Sequence, residues 1–586
     1  MGALSAPVTL RGAFGSDRFL LGATLLLGLL TCAPLLVTPY VPLHDLPRHV
    51  GAAALLEDIL LGEPFAAEHY GLALFPGPPL VLHVILGVGG VLVGAAGAAK
   101  LVVALAALLL PIGMMRMAVA LDRDPRLGLL GFALAWDANM LMGAVSYEIG
   151  LGFAFLALAG LARAEYTQDA YRILPWTLLA AFTSVQAFFI LCLLGLPLVG
   201  RPAPRSRRPR IWLAAVVPGV LALLPWATGH LVALDASSAL DAPLEHGLMV
   251  KLESLVRYST GMFSVGVGRW SGQLVFMVLV TAPVILGLLC IRRAWIALAC
   301  SFTALGLGLW LHLSAEVLPV GRMLVAAVVG ALATAAFARG DRHRTAIVGA
   351  FLLTLVTYFA LPYGMIWPFE QEGIYPRQAV VLLALAVLVP PAVRPPLPED
   401  LPEDEVVWIA RDGARGVRVL ALFPGLFAAL TFGAEMTNRF ADFGTRAKEL
   451  SAIVEAVHED PVILPLSFDA SDDAVPFQPY AAFHAYVVAE KGGYDPYLIW
   501  GHASALEDIS PLPHPPEEDP SEFSFEAHGR FYEYVLVQGP DRVRDLEPPP
   551  GRSVEWVAAG GRWTLYQLRT TATSTPAASA SAEVLP

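Results

Sequence analysis

The chain has 586 residues, of which 56% are hydrophobic and 15% charged, with a mean hydropathy of +0.62. Such a composition excludes a soluble globular enzyme, and apolar runs of ~20 residues, each enough to cross ~30 Å of hydrocarbon, predict an α-helical polytopic membrane protein. The net charge of −12 argues against nucleic-acid binding.

In chain order, about thirteen spans are predicted: 19–39, 79–93, 98–120, 127–143, 146–161, 173–199, 211–231, 273–290, 294–313, 319–338, 345–361, 378–393 and 417–436. The first is too long for a cleavable signal segment, and no small-residue cleavage site follows it. Cys32, Cys192, Cys290 and Cys300 all fall within apolar runs and read as packing residues, not disulfides. The bias of 34 arginines over four lysines suggests a GC-rich bacterial genome.

Basic connectors at 201–210, 292–293, 339–344 and 394–418 fall on one side if the N-terminus is cytoplasmic, and the loops on the other side are acidic or neutral. This predicts a bacterial inner-membrane protein with a cytoplasmic N-terminus. One stretch fits badly: Asp122–Arg126 is placed outside despite two arginines, and a re-entrant pair between Leu127 and Leu161 is the alternative.

Hydropathy collapses after Met436. Residues 437–570 are predicted as a small C-terminal extracytoplasmic α/β domain, beyond the transmembrane domain 1–436 and its outer loop 41–78; an Ala/Ser/Thr-rich tail over 571–586 reads as disordered. Helical spacing covers 443–458 and 481–491, the latter closed by Gly492-Gly493. Strands are predicted at 462–466 and 531–537, with a hairpin at 553–557 and 563–568. Residues 508–522 form a proline-rich acidic loop.

The outer loop opens with His44-Asp45-Leu46-Pro47-Arg48-His49, four ionisable residues at the end of an apolar span. Charges this close to hydrocarbon are expensive and mark functional sites. Asp45 suits a general base toward an acceptor hydroxyl, or a ligand of a divalent cation (Mg or Mn), with His44 or His49 assisting. An interfacial ion pair between Asp45 and Arg48 is the plainer alternative. Glu57 adds to the loop's acidity. Asp137, Asn139, Tyr147 and Glu148 surround the break between the fourth and fifth spans, opposite Asp45 in this topology, and read as capping and interhelical hydrogen-bonding residues.

Arg322, at the outer start of the tenth span, can bind a phosphate as a bidentate fork or pair with Glu316. Tyr363 and Trp367 belong to an aromatic interface belt, and the same residue types stack on sugar rings. Arg257 poses a similar choice. His484 and Tyr486 are weak candidates for a substrate-facing edge. Walker A, H-E-x-x-H, C-x-x-C and G-x-S-x-G patterns are all missing from the sequence, so ATP-driven transport and common hydrolase chemistries lack support.

The layout resembles the GT-C superfamily of integral-membrane glycosyltransferases: a first span, a long outer loop with an early acidic residue, many further spans and a C-terminal extracytoplasmic domain. The segments Leu43–His49, Asn139–Gly152 and Phe483–Tyr494 look closest to bacterial membrane proteins of the same layout. Where many superfamily members carry an Asp-Glu or Glu-x-Asp pair, this chain has His44-Asp45. The resemblance implies inverting transfer from a polyprenyl-phosphate-linked sugar to a glycan, lipid or protein acceptor at the outer face. Asp45 would be the base and Arg322 would neutralise the phosphate. The rival readings are a transporter or flippase of a lipid-linked or amphipathic solute, and a non-catalytic membrane scaffold.

Overall fold

A computed structural model describes residues 18–73, 77–121, 125–199, 208–233, 349–351, 353–354, 374–388, 430, 432–499, 506–517, 519–540, 543, 548 and 552–570. The expected spans between 273 and 338, the tail from 571, and Cys290 and Cys300 lie outside them.

Helix α1 (Arg18–Cys32) leads through a 3-10 turn to the ionisable cluster, after which come α2 (Leu46–Leu61), α3 (Pro64–His69), β1 (Tyr70–Leu72), α4 (Leu80–Val93) and α5 (Ala95–Ala120). A 3-10 segment (Pro125–Leu134) and the short α6 (Ala138–Leu141) precede α7 (Val145–Arg163), α8 (Ala170–Thr183), α9 (Val185–Val199) and α10 (Arg208–Ala233). Among the described residues, Ala95–Ala120, Val145–Arg163 and Arg208–Thr228 are long and apolar enough to cross a membrane; shorter apolar helices include α4 and α9.

Contacts along α1 give each element its direction. Thr24 Oγ1 lies 4.0 Å from the Met115 sulfur, a Cβ on Gly28 would lie 3.1 Å from Leu108, and Trp136 Nε1 donates to Thr31 O at 3.0 Å. So α5 runs against α1, away from Asp45, and the 3-10 segment returns toward it. Arg163 donates to Val119 O and Arg208 to Ala164 O, which puts the ends of α5 and α7 and the start of α10 together on the far side.

Three expectations change. Residues 79–93 are not a crossing span: α4 runs in step with α2, His83 beside His49 and Gly90 beside Glu57. Residues 127–143 form no α-helical span. Gly128 and Gly131 let the 3-10 segment lie against α5, where a Cβ would come within 2.5 Å of Met115 N and 2.8 Å of Pro111 Cα respectively. Residues 173–199 are two helices broken at Ser184, which stands near the Asp45 end of α7 beside Gly150. The first and last changes offset each other in the count. They move Arg126 to the far side, with Arg163, Arg172 and Arg208, so the misfit at Asp122–Arg126 disappears. They also move the 137–148 break to the Asp45 side.

Near the C-terminus, α11 (Ile374–Leu388) is followed by a helix over 432–447 that runs parallel to α1, Gly433 against Leu30 and Gly444 against Val37. Beyond it come α12 (Glu449–Ala456), β2 (Ile463–Ser467), α13 (Ala485–Lys491), β3 (Leu506–Asp508), β4 (Tyr534–Gln538), β5 (Arg552–Gly560) and β6 (Trp563–Thr570). The sheet order is β2-β4-β6-β5, with β2 and β4 parallel and the other pairs antiparallel. Strand β2 and the β5–β6 hairpin stand where the sequence predicts a strand at 462–466 and a hairpin about a glycine-containing turn.

The outer loop is fused to this unit. Strand β1 pairs with β3, Tyr70 opposite Asp508. Helix α2 lies so close to α13 that a Cβ on Gly51 would meet Leu498 Cδ1 at 2.6 Å and Ala485 O at 3.1 Å.

Candidate active site

Asp45 is the N-cap residue of α2, yet its side chain caps nothing. An N-cap carboxylate ordinarily accepts from the N–H of the second or third helical residue. Here the second is Pro47, which has no N–H, and Asp45 itself holds φ −96° and ψ −11°, a helical backbone in place of the extended one from which a side chain reaches the third N–H. The carboxylate is thus uncommitted and 37% exposed, with Arg48 Nη1 at 3.6 Å and His44 Nε2 at 3.6 Å. Both ion-pair partners stand at the seam with the C-terminal unit. His44 Nδ1 lies 2.9 Å from Phe477 O and 3.1 Å from Gln478 O. Two carbonyl acceptors fix the proton on Nδ1 and leave Nε2 facing Asp45. Phe477 and Gln478 hold φ of 65° and 51°, a left-handed pair without glycine that turns both carbonyls to His44. Arg48 also bonds Glu517, from the proline-rich acidic loop.

From behind, the turn after α6 holds this backbone. His44 N donates to Leu141 O and Asp45 N to Met142 O, each at 3.3 Å. The turn passes through Gly143 (φ 85°), where a Cβ would fall 2.4 Å from Asp45 N. Asp137 caps α6, accepting from Met140 N at 2.9 Å, while its other oxygen takes Asn139 Nδ2 at 2.5 Å. Glu148 is buried, and its Oε1 has no hydrogen-bond partner among the described residues. Tyr147 OH donates to Arg377 O at 2.7 Å, under the Arg377 guanidinium. Capping is thus one job of this cluster, but it stands behind Asp45 and not across the membrane.

His49 points the other way. Its Nδ1 lies 3.2 Å from His83 Nε2 on α4. Burial, the main cause, pushes its pKa below the usual histidine range, so it sits neutral in that pair. His83, a lone histidine in an apolar helix with its partner 34 residues away, gives no signal in the sequence.

Glu57 stands twelve positions along α2 from Asp45, about 18 Å at helical rise, so the two are not brought together. Next to it, Asp58 is pushed up to about 6, by burial first and then by Glu57, Asp460 and Glu63. A carboxyl that holds its proton more tightly folded than unfolded favours the fold at acid pH. That contribution is lost as pH rises from about 4 through about 6. Asp58→Asn is therefore expected to gain in unfolding temperature on the wild type between pH 4.5 and pH 7 (roughly the span of that loss). Thermal scans across that range check it, and parallel curves would refute the assignment.

His484, expected at a substrate-facing edge, is only 3% exposed, with Nδ1 2.5 Å from Asp495 Oδ2. Asp495 also accepts from Tyr497 N at 2.9 Å. Tyr486 is likewise buried and bonds Val41 O. Both lie at α13, whose packing against α2 takes them inside. Arg257, Arg322, Tyr363 and Trp367 lie outside the described residues.

Asp45 is a poor fit for a divalent cation, which seeks several oxygen ligands. Its neighbours are a guanidinium and an imidazole whose Nδ1 is engaged. Among the described residues no three His, Cys, Asp or Glu converge as a metal-ligating group.

No protein-family model and no curated protein matches the chain. Among solved structures it is similar to the crystal structure of ArnT from Cupriavidus metallidurans bound to undecaprenyl phosphate. The identity is 14% over 94% of this chain and 98% of that one, with a TM-score of 0.44. The apo state of ArnT gives 15% identity, coverage of 96% and 99%, and a TM-score of 0.41. Archaeal oligosaccharyltransferase AglB from Archaeoglobus fulgidus, in complex with an inhibitory peptide and a dolichol-phosphate, gives 13% identity, coverage of 90% and 70%, and a TM-score of 0.37. The chemistry rests on this chain's own residues.

Proposed function

We propose that this protein is a membrane glycosyltransferase that moves a sugar from a polyprenyl-phosphate-linked donor to an acceptor hydroxyl on the Asp45 side. The observation that carries the reading is the Asp45 carboxylate: engaged in no capping bond, partly exposed, and pinned through its backbone by a second element. Asp45 accepts the hydroxyl proton while the acceptor oxygen bonds to the anomeric carbon. The bond from that carbon to the phosphate oxygen breaks, and the polyprenyl phosphate leaves with the electron pair. Attack from the face opposite the leaving group inverts the anomeric configuration. The negative charge that grows on the phosphate calls for a cation, the role proposed for Arg322.

Arg126, Arg163, Arg172 and Arg208 on the far side support, by the positive-inside rule, an extracytoplasmic Asp45 side. Lipid-linked sugars extracted from deletion cells are the donor for the test, supplied with an acceptor extract to the purified protein in detergent. A glycosylated acceptor and loss of the donor are expected. Detergent solution has no sides, so a flippase yields no product, and an unconsumed donor would overturn the proposal.

A further inference from the structure

His44 meets Asp45 with a hydrogen-bonding mismatch. Its Nδ1–H donates to the Phe477 and Gln478 carbonyls, so the Nε2 that stands 3.6 Å from Asp45 Oδ1 is a bare lone pair. A lone pair and a carboxylate are both acceptors, and no hydrogen bond joins them until a proton lies between. Backbone strain accompanies the arrangement. Asp460, Phe477 and Gln478 are the non-glycine residues of left-handed φ among the described residues, and two of them turn their carbonyls to His44. The segment before this pair is tied to the helix over 432–447: Arg439 Nη1 donates to Ala474 O at 3.0 Å, and Arg446 Nη2 to Asp472 Oδ1 at 2.7 Å. Just beyond the pair, Ala481 N donates to Gln478 O at 3.1 Å. Anchored backbone therefore holds the proton on Nδ1 and the ring's orientation with it.

We infer that His44 is the relay partner of Asp45: Nε2 takes from the carboxyl the proton that Asp45 removes from the acceptor hydroxyl. This rests on the reading of Asp45 as the base. The acceptor O–H bond breaks as a carboxyl O–H bond forms. A turn of the carboxyl about χ2, which no capping bond resists, carries that proton to the His44 side. The 3.6 Å gap has to close by about 0.5 Å to come within transfer reach. The carboxyl O–H bond then breaks as an Nε2–H bond forms, and Asp45 is a carboxylate again. The Phe477 and Gln478 carbonyls go on accepting from Nδ1–H throughout, so no contact of the ring is lost. His44 is 30% exposed, and the proton passes from it to water.

The other groups around Asp45 do not serve. Arg48 stands 3.6 Å from the same Oδ1, but a guanidinium offers donors only, and it also binds Glu517. His49 is turned to His83. The turn behind contributes backbone carbonyls alone, Leu141 O and Met142 O. His44 acts through Asp45 and needs no contact with the acceptor. The relay also joins the two halves of the chain, since the outer loop carries the base and the C-terminal unit fixes the tautomer of its partner.

Two measurements on the full-length protein in detergent test this. In NMR spectra with isotope-labelled histidine, the His44 signals are those lost in His44→Asn. At neutral pH the ring is expected to carry its proton on Nδ1 and none on Nε2; a neutral ring protonated on Nε2 overturns the proposal. The second measurement is sugar transfer as a function of pH. An asparagine amide can donate to the same two carbonyls but carries no second base, so His44→Asn is expected to transfer about 10-fold slower than wild type near neutral pH. The gap is expected to close as the pH falls, because a ring already protonated on Nε2 takes no further proton. A ratio of the two rates that stays constant with pH makes His44 a structural contact and overturns the relay. Equal rates at every pH, with Asp45→Asn inactive, overturn the relay and leave Asp45 as the base. A wild-type protein that transfers no sugar overturns both.

Discussion

Asp45→Asn is expected to lower sugar transfer by about 10²- to 10⁴-fold, the usual contribution of a general base, with almost no loss of stability. The two effects separate because of where the side chain sits. Its structural contacts are two ion pairs at 3.6 Å on a 37% exposed group, a class worth about 0–1 kcal/mol. The backbone that positions it is untouched by the change, since Asp45 N still donates to Met142 O. An amide has the same shape but cannot accept the hydroxyl proton. Single-turnover transfer assays and thermal unfolding of the same preparations give both quantities. An Asn variant that turns over within about threefold of wild type, far below the general-base range, removes Asp45 as the base. One that unfolds well below wild type makes Asp45 a structural residue.

The ionisable cluster is legible in the sequence because its cost is visible in one dimension: charged residues directly after an apolar run need a reason wherever the chain goes next. The β5–β6 hairpin is legible for a similar reason, as a glycine-containing turn between two short runs is a local signal. Hydropathy cannot tell a helix that crosses from one that lies beside another at the boundary, so α4 reads as a span. Asp137 and Asn139 inside an apolar stretch, and Ser184 with Gln186 in the middle of another, are the warnings for the 127–143 and 173–199 segments. The mistaken span and the uncounted helix offset each other, so the arginine bias looks right everywhere except Asp122–Arg126. That single misfit is the trace of both errors. Contacts across long separations leave no such trace. Glu517 reaches Arg48 across 469 residues and His44 reaches Phe477 across 433, and no local pattern encodes either.

Gly143→Ala tests whether the 137–148 break belongs to the Asp45 site. Two penalties fall on this position. Its φ of 85° is left-handed, which costs an alanine about 1 kcal/mol or more. Its Cβ would also lie 2.4 Å from Asp45 N, 2.8 Å from Leu46 N and 3.0 Å from Asp45 Cα. These are backbone atoms at the start of α2, so no side chain can swing aside, and relief requires the turn and the helix to part. Overpacking of this kind adds about 1–3 kcal/mol. Gly62 supplies the control, with φ of 83° and nothing within 4 Å of where its Cβ would stand. Gly62→Ala bears the backbone penalty alone. Gly143→Ala is therefore expected to unfold at a lower temperature than Gly62→Ala and, where still folded, to transfer sugar more than about 10-fold slower, because the displaced atoms carry the base. Equal stability and equal transfer in the two variants would mean that α2 tolerates a gap behind Asp45. The 141–143 turn would then be a neighbour of the site and not its support.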